Sequence, residues 1–410
     1  MIRTHVDVFA RGGVARIAPL VALVVVLAGS AIAGAEVPAE RAVAAPVGAI
    51  AYESGGRLVK ARGSWLAVAR LGGRGAHRVT DPPAPGSRRR DIDPVWSPDG
   101  TMLAFTRIAA PDGGLYVVSS DGTGLRRLAA VPDARASLHP TWSPDGTMLA
   151  FDRSDPGCST HGSSSSAVFV VRSDGSARPV VVVRGTAQLP AFYGEAWAPD
   201  GQSLLYIQDA TPSGCSDEAT LLYRVNVDGS DRRVLARQTH DRYGNIGIVG
   251  RAAWSPDGAH IAYTDGCSGS PPSVSECSVF VIDPDGAAKR RVGGFTIEDS
   301  WCGGDGDSTT LQTPVWEPDG RKFLVAETSL AEPAGIYEKG IGTNDVARRV
   351  AATQLSSPEW YVLSRDGTRI SFLSGDCLLL RTVSLDHKSG WRGPVPAAWG
   401  QHSAPAIWLP

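Results

Sequence analysis

The chain has 410 residues, with 40 Lys and Arg against 42 Asp and Glu and a formal net charge of −2. This near balance, without a basic block, argues against a nucleic-acid-binding protein that works by neutralising phosphates. The 47 Gly and 29 Pro residues are typical of a protein made of many turns.

The first segment along the chain is predicted to be a secretory signal peptide over residues 1–35. Three arginines precede an apolar stretch at 18–29, and the small residues at 33–35 fit a cleavage site. A retained single-span anchor is the alternative, but this stretch is shorter than the roughly 20 residues that a helical span needs. Residues 36–46 form a short lead. We therefore expect an exported protein, periplasmic or extracellular, with no membrane span after cleavage.

A five-residue turn motif then recurs at intervals of about 45 to 60 residues, the period of propeller blades. In its full form Ser, Pro, Asp and Gly follow a Trp, and these four residues have the chemistry of a tight turn. The copies are Trp96-Ser97-Pro98-Asp99-Gly100, Trp142-Ser143-Pro144-Asp145-Gly146, Trp197-Ala198-Pro199-Asp200-Gly201, Trp254-Ser255-Pro256-Asp257-Gly258, Trp316-Glu317-Pro318-Asp319-Gly320, the worn Leu363-Ser364-Arg365-Asp366-Gly367 and the incomplete Trp408-Leu409-Pro410.

Each repeat is predicted to contain four antiparallel strands. The first leads into the Trp, the second follows the Gly, the third is an apolar run such as Leu115-Tyr116-Val117-Val118, and the fourth follows a second turn such as Asp121-Gly122. Four strands in each repeat, with no room for a helix, predict an all-β fold, a β-propeller of four-stranded blades.

The two chain ends are predicted to share one blade. The segments at 49–52, 65–69 and 77–80 match second, third and fourth strands, and 404–410 matches a first strand. A shared blade closes the blades into a ring, and a closed ring has no open sheet edge. We count seven blades in a single domain over 47–410, with six as the alternative if the unit at 360–391 is irregular. We expect a monomer.

The loops between second and third strands, and between blades, are predicted to be long and to share one face, here called the loop rim. In an exported chain the six cysteines in or beside these loops predict disulfides. Six cysteines allow 15 pairings, of which we favour Cys267–Cys277 and Cys158–Cys215, leaving Cys302–Cys377. Loops held by a rigid scaffold often carry function.

Candidate binding residues lie just before each first strand, because such residues face the mouth of the central channel. They are Asp93, His139, Glu195, Arg251, Trp360 and His402. Their mixed charge suits a polar ligand or a peptide. The repeated Asp residues are instead assigned to turns, since Asp in such a turn bonds its own backbone. The repeated Trp residues are assigned to packing between blades.

The motif resembles the WD40-like repeat of the TolB propeller family. The resemblance lies in W-S-P-D-G followed by L-A-F or I-A-Y, and in D-G-T or D-G-S before R-R-L, and it spans 48–410. It implies a propeller fold. TolB has an additional α/β domain before its propeller, whereas here about a dozen residues separate the cleavage site from the first strand. We therefore expect a TolB-like propeller without that domain, and binding to the Tol–Pal proteins is not implied.

Two functions follow from these patterns. The first is a non-enzymatic scaffold that binds an envelope or extracellular protein, or a polar ligand, through the loop rim. It agrees with the absence of a G-x-S-x-G motif or other catalytic constellation from the sequence. The second is a metal-assisted carbohydrate lyase or hydrolase at the channel mouth, as in propeller polysaccharide lyases that this repeat type resembles. The first requires no cofactor, and the second requires a divalent cation.

Overall fold

The fold was analysed in a computed structural model. It describes residues 48–54, 63–70, 75–131, 138–153, 167–185, 192–210, 219–239, 249–268, 275–297, 313–327, 335–342, 347–352, 361–374, 379–385, 390–394 and 406–408. Within these ranges the side chains at 192–195, 209–210, 219, 238–239, 249–251, 266–268, 275–277, 294–297, 326–327, 352, 373–374, 379–380, 390–394 and 406–408 are not described. The signal peptide and the lead at 36–46 lie outside the described residues.

The described residues form antiparallel strands and contain no helix. Blade 1 contains β1 (Ala49–Ser54), β2 (Trp65–Arg70) and β3 (His77–Arg78). Blade 2 contains β4 (Arg90–Trp96), β5 (Met102–Ile108), β6 (Gly114–Ser119) and β7 (Arg126–Ala130). Blade 3 contains β8 (Thr141–Trp142), β9 (Met148–Arg153), β10 (Ala167–Arg172) and β11 (Val180–Arg184). Blade 4 contains β12 (Phe192–Trp197), β13 (Ser203–Ala210), β14 (Ala219–Asn226) and β15 (Arg233–Thr239).

The remaining strands follow the same order. Blade 5 contains β16 (Val249–Trp254), β17 (Ile261–Ser268), β18 (Ser275–Ile282) and β19 (Arg290–Ile297). Blade 6 contains β20 (Val315–Trp316), β21 (Lys322–Glu327), β22 (Gly335–Gly340) and β23 (Arg348–Ala352). Blade 7 contains β24 (Tyr361–Leu363), β25 (Arg369–Ser374), β26 (Leu379–Ser384) and β27 (Gly390–Pro394), and β28 (Ala406–Trp408) is the last strand. The described residues thus form seven four-stranded sheets, which confirms the all-β propeller with seven blades rather than six.

Both ends of the described chain contribute to blade 1. Its strand order is β28-β1-β2-β3, and β28 pairs antiparallel with β1, with Ile407 opposite Ile50. The last strand therefore takes the position that a first strand has in the other blades. First strands of neighbouring blades contact one another, as β12 does with β16 and β4 with β8, so these strands form the inner wall.

The motif tryptophans join neighbouring blades. Trp142, Trp197 and Trp316 are each 7 % exposed and pack into clusters shared by two blades. The indole N–H of Trp142 donates to the Val95 carbonyl at 3.1 Å, in the first strand of the preceding blade. Trp197 and Trp316 make the equivalent bond to the first strand of the blade before their own, to the Thr141 and Ala253 carbonyls at 3.1 and 3.0 Å. The assignment of these residues to packing between blades is therefore confirmed.

The motif aspartates cap their own turns, at the end of the blades here called the turn rim. In blade 7 the Asp366 carboxylate accepts from the Ser364 hydroxyl at 2.5 Å and from the backbone N–H of Thr368 at 3.0 Å. Gly367 closes this turn at a φ of 70°, and a Cβ there would lie 2.6 Å from the Pro318 ring in the preceding blade. Only glycine fits both constraints.

These turns should make stability depend on acid pH. The Ser364 hydroxyl and the Thr368 N–H lower the pKa of Asp366 to about 2. Because the folded pKa lies below the ordinary value of about 4, the stabilisation is present above pH 4 and is lost as pH falls through the folded pKa. We expect the urea midpoint of unfolding to fall between about pH 4 and 2, and more gradually in Asp366→Asn. If the urea midpoint of Asp366→Asn fell with pH as steeply as that of wild type, the lowered pKa of Asp366 would not be the cause.

Two of the described turns replace the motif serine. Glu317 occupies the position in blade 6, where burial and then the neighbouring Glu338 carboxylate raise the pKa of Glu317 to about 7. Ala198 occupies it in blade 4, so that turn lacks the hydroxyl that bonds Asp in the turns of blades 2, 3, 5 and 7. Blades 4 and 6 therefore present side chains at the turn rim that the other described turns do not.

Among the residues that the structure describes, none belongs to a helix that could span a membrane.

Candidate functional site: the loop rim

Buried polar side chains gather at the loop-rim ends of the inner two strands. Because each second strand starts at the turn rim, its last residues and the first residues of its first-strand partner lie at the loop rim. Among the described residues, the buried polar and charged side chains at the loop-rim ends of the first and second strands are Glu53, Ser54, Asp91, Thr106, Arg107, Asp152, Gln208, Thr264 and Asp265. The other described charged residues that are buried, Glu338 and Lys339, lie in blade 6.

Blade 2 contributes a buried ion pair to the loop rim. Asp91 in β4 is opposite Arg107 in β5, and its side chain is fully buried. The Arg107 Nε and Nη2 atoms donate to the two carboxylate oxygens at 2.6 and 2.8 Å. The guanidinium also lies over the Tyr116 ring, 4.5 Å from its centroid. Two parallel bonds and an aromatic face hold this cation in one position.

Blade 3 contributes a histidine oriented by a buried carboxylate. Asp152, at the end of β9, has a fully buried side chain, and its Oδ1 lies 2.8 Å from His139 Nδ1. A carboxylate only accepts hydrogen bonds, so Nδ1 carries the proton and donates. The His139 side chain is 20 % exposed, and its backbone has a φ of 42°. A buried carboxylate that fixes the tautomer of a histidine is an arrangement found behind metal ligands and general bases.

Blade 4 joins aromatic rings to the loop rim through a cation. Tyr206 and Tyr223 stack with ring centroids 5.1 Å apart, and the Arg232 guanidinium lies 4.3 Å from the Tyr223 centroid. Arg232 Nη2 donates to Gln208 Oε1 at 2.7 Å. A cation thus connects the stacked rings to an amide at the loop-rim end of β13.

Blade 5 repeats this arrangement with a lysine. Lys289 lies 4.2 Å from the Phe280 centroid, and its Nζ is 3.3 Å from Asp265 Oδ2, whose side chain is 2 % exposed. Blades 2, 4 and 5 therefore each use a cation to connect an aromatic ring to a polar group in the loop-rim half of the second strand or its partner, although Arg232 and Lys289 themselves precede the fourth strands at the turn-rim end.

The candidate residues chosen from sequence fall into two groups. Asp93 lies inside β4 with a φ of 51°, and His139 lies ahead of β8. Glu195 and Arg251 lie inside β12 and β16, and their side chains are not described. In β4, β12 and β16 the pairing shifts register close to these positions, a β-bulge in each first strand. The prediction that candidates precede the first strands is therefore wrong for Asp93, Glu195 and Arg251, because β4, β12 and β16 begin upstream of them and continue through a bulge.

The other candidates are Trp360 and His402, which lie outside the described residues, as do Cys158, Cys215, Cys302 and Cys377. Cys267 lies in β17 and Cys277 in β18, two paired strands. Asp265 pairs with Ser278 and Ser268 with Glu276 across an irregularity, so the backbones of the two cysteines are neighbours. The Cys267–Cys277 pairing remains a prediction.

The described side chains do not assemble a metal centre by themselves: no group of three or more His, Cys, Asp or Glu among them could hold an ion. His139 with Asp152 supplies one oriented ring. Any further ligand from Glu195 or His402 lies outside the described side chains.

Comparison with known proteins gives structural similarity alone. No protein-family model and no curated protein sequence matches the chain. A Mycobacterium tuberculosis puromycin-hydrolyzing peptidase is 19 % identical with a TM-score of 0.53, over 77 % of this chain and 49 % of that one. An oligogalacturonate lyase in complex with manganese is 16 % identical with a TM-score of 0.50, over 82 % of this chain and 84 % of that one.

TolB from Acinetobacter baumannii is 14 % identical with a TM-score of 0.45, over 90 % of this chain and 81 % of that one. This chain spans about half of the peptidase, at 49 %. At these identities the similarity to the peptidase and the lyase establishes the fold alone. The chain is therefore a seven-bladed β-propeller, the fold that its TolB-like repeats imply.

Proposed function

We propose that the protein is exported and acts as a binding scaffold whose loop rim takes an envelope or extracellular protein, or a polar ligand. The observation that carries this proposal is the concentration of buried charge at one end of the blades. A propeller core needs only apolar packing, and taking charges out of water is expensive even when they are paired. Glu53, Asp91, Arg107, Asp152 and Asp265 are nevertheless buried at this rim.

The chemistry of the rim supports a polar partner. Hydrogen-bonded cations such as Arg107, and a histidine whose tautomer is fixed, present directed donors and acceptors. Such groups give orientation and specificity in binding sites. The signal-peptide pattern at 1–35 supports export, which would expose the rim to envelope or extracellular molecules.

A photo-crosslinking experiment tests which rim binds. A photoreactive residue is placed at exposed Asp112, in the β5–β6 loop at the loop rim. The matched control places it at exposed Arg365, in the blade 7 turn at the turn rim. Each full-length variant is expressed in its native envelope and irradiated. We expect discrete crosslinked products from the Asp112 position that are missing from the Arg365 position. Products of equal yield from both positions, or from Arg365 alone, would overturn the assignment to the loop rim.

A metal-assisted carbohydrate lyase or hydrolase at the channel mouth is the second candidate, and His139 with Asp152 is the observation that favours it. When bound, a divalent cation would polarise the substrate or activate a water molecule. His139 would contribute a ring held in one tautomer by Asp152. Elemental analysis of the purified protein, with Asp152→Asn beside wild type, tests this function. The lyase or hydrolase function requires that the wild-type protein contain a bound metal and that Asp152→Asn contain less of it. The absence of metal from the wild-type protein would eliminate this function.

A further inference from the structure

A cleft opens at the turn rim between blades 4 and 5, at the opposite end of the blades from the loop rim. It encloses about 180 Å³. Its lining residues are Ala198, Pro199, Asp200, Ser203, Arg224, Trp254, Asp257, Gly258 and Pro284. This volume is of the order of one small ring with its substituents, well below the roughly 300–1,000 Å³ of a drug-sized site.

Ala198 lines the cleft and occupies the motif position of serine. In blade 5 the corresponding Ser255 hydroxyl bonds Asp257 at 2.5 Å and accepts from the His260 N–H at 2.9 Å, and so fills the turn. Ala198 has no such group. In blade 4 a buried hydroxyl comes instead from Ser203, which accepts from Arg224 Nε at 3.3 Å. Ala198 therefore gives this part of the lining a methyl group, and Ser203 and Arg224 supply its polar atoms.

Trp254 departs from the other motif tryptophans at this cleft. Trp142, Trp197 and Trp316 each donate their indole N–H to the preceding blade. The Trp254 Nε1 atom is buried and has no hydrogen-bond partner among the described residues. An unpaired buried donor is unfavourable, so a ligand oxygen that met it after a small movement of the indole would stabilise the complex. The indole also gives the cleft an apolar surface.

The cleft offers hydrogen-bond donors from one guanidinium and acceptors from two carboxylates. Arg224 makes long hydrogen bonds, at 3.3 Å to Ser203 and 3.5 Å to the Pro284 carbonyl, and its guanidinium lies 5.8 Å from the Trp254 ring centroid, so its N–H groups can also serve a ligand. Asp200 and Asp257 use Oδ1 for their turns at 2.8 and 3.0 Å, and no donor reaches either Oδ2 among the described residues. Two carboxylates against one guanidinium leave the cleft with a net negative charge, which disfavours an anion, and Arg224 offsets part of its attraction for a cation.

We propose that this cleft binds one neutral sugar unit, free or at the end of a glycan. A pyranose is uncharged, and each hydroxyl both donates and accepts, which matches Arg224 together with Asp200 and Asp257. Its C–H face suits the Trp254 indole. The proposal is independent of the function proposed for the loop rim, because the two sites lie at opposite ends of the blades.

NMR of the indole groups tests the proposal in the mature protein. The side-chain N–H signal of Trp254 is assigned with the Trp254→Phe variant, and methyl glucoside, methyl galactoside, galacturonate and choline are titrated separately. We expect a saturable shift of this signal with a neutral glycoside, at a dissociation constant of about 1 mM for so small a ligand. No shift with either glycoside, or a stronger response to galacturonate or choline, would overturn it.

Two variants test the cleft directly. Ala198→Ser adds the motif hydroxyl to the lining of the cleft, and Arg224→Gln removes the cation while keeping donors. We expect each to weaken glycoside binding about tenfold or more. Ser143→Ala, the matched change in the blade 3 turn, should leave binding unchanged. Retained affinity in a folded Ala198→Ser variant would contradict the proposed site, as would an equal loss in Ser143→Ala.

Discussion

Replacing Trp197 by Ala should lower the free energy of unfolding by about 3–5 kcal/mol, the range for removing a buried aromatic side chain. Trp197 is 7 % exposed and packs on residues of both blade 3 and blade 4. Its indole also donates to the Thr141 carbonyl at 3.1 Å. The variant therefore loses a hydrogen bond and leaves a cavity between two blades. Urea unfolding, followed by far-UV circular dichroism, measures the change.

Trp254 provides the matched control, because it occupies the same motif position one blade further on. It is only partly buried, and its Nε1 has no protein partner among the described residues. We expect Trp254→Ala to lose clearly less stability than Trp197→Ala. Trp197→Phe should lose about 1 kcal/mol through the missing bond, and Trp254→Phe none. Equal losses in the two alanine variants would contradict the division of roles between these tryptophans.

The blade architecture was predictable because its signals are local and repeated. A tight turn needs Pro, Asp and Gly at fixed offsets, and Asp366 with Gly367 shows both the hydrogen bonds and the positive φ that such a turn requires. Even the worn copy in blade 7, with Arg365 in place of proline, keeps this geometry. The pairing of β28 with β1 was likewise foreseen from the strand types at the two ends of the chain.

The loop rim was predictable as a region and less so residue by residue. His139 was chosen as a candidate, but its partner Asp152 was not, because the contact joins two strands through the fold rather than through a motif. A sequence signal did exist. Glu53 and Asp152 follow the aromatic residue of otherwise apolar second strands, a place where an unpaired charge would be costly. The bulges that place Asp93 inside β4 leave no comparable pattern.

The cleft at the turn rim was out of reach for a different reason. In the sequence alone, Ala198 looks like an ordinary variation of the turn motif, and Trp254 looks like the other tryptophans that pack between blades. Only the hydrogen bonds of the neighbouring blades show that Trp254 lacks the bond which Trp197 makes. Repeats make such departures informative, since each blade serves as the reference for the others.

Removing the Asp91 carboxylate should destabilise the protein as strongly as removing a core aromatic. Asp91→Asn leaves the Arg107 guanidinium buried without its countercharge, and breaking a buried pair in this way costs about 3–5 kcal/mol. The Asp91 side chain is 0 % exposed and that of Arg107 is 9 % exposed, so water cannot replace the lost partner. Urea unfolding at neutral pH again provides the measurement.

The double variant Asp91→Leu with Arg107→Met separates stability from function. Because both charges are removed together, we expect it to unfold close to wild type or at higher urea, since apolar residues often replace buried ion pairs without loss. If the pair instead serves binding at the loop rim, crosslinking from Asp112 should fall in this stable variant. A double variant as unstable as Asp91→Asn would show that the pair supports the fold. Unchanged crosslinking in a stable double variant would remove Arg107 from the proposed binding surface.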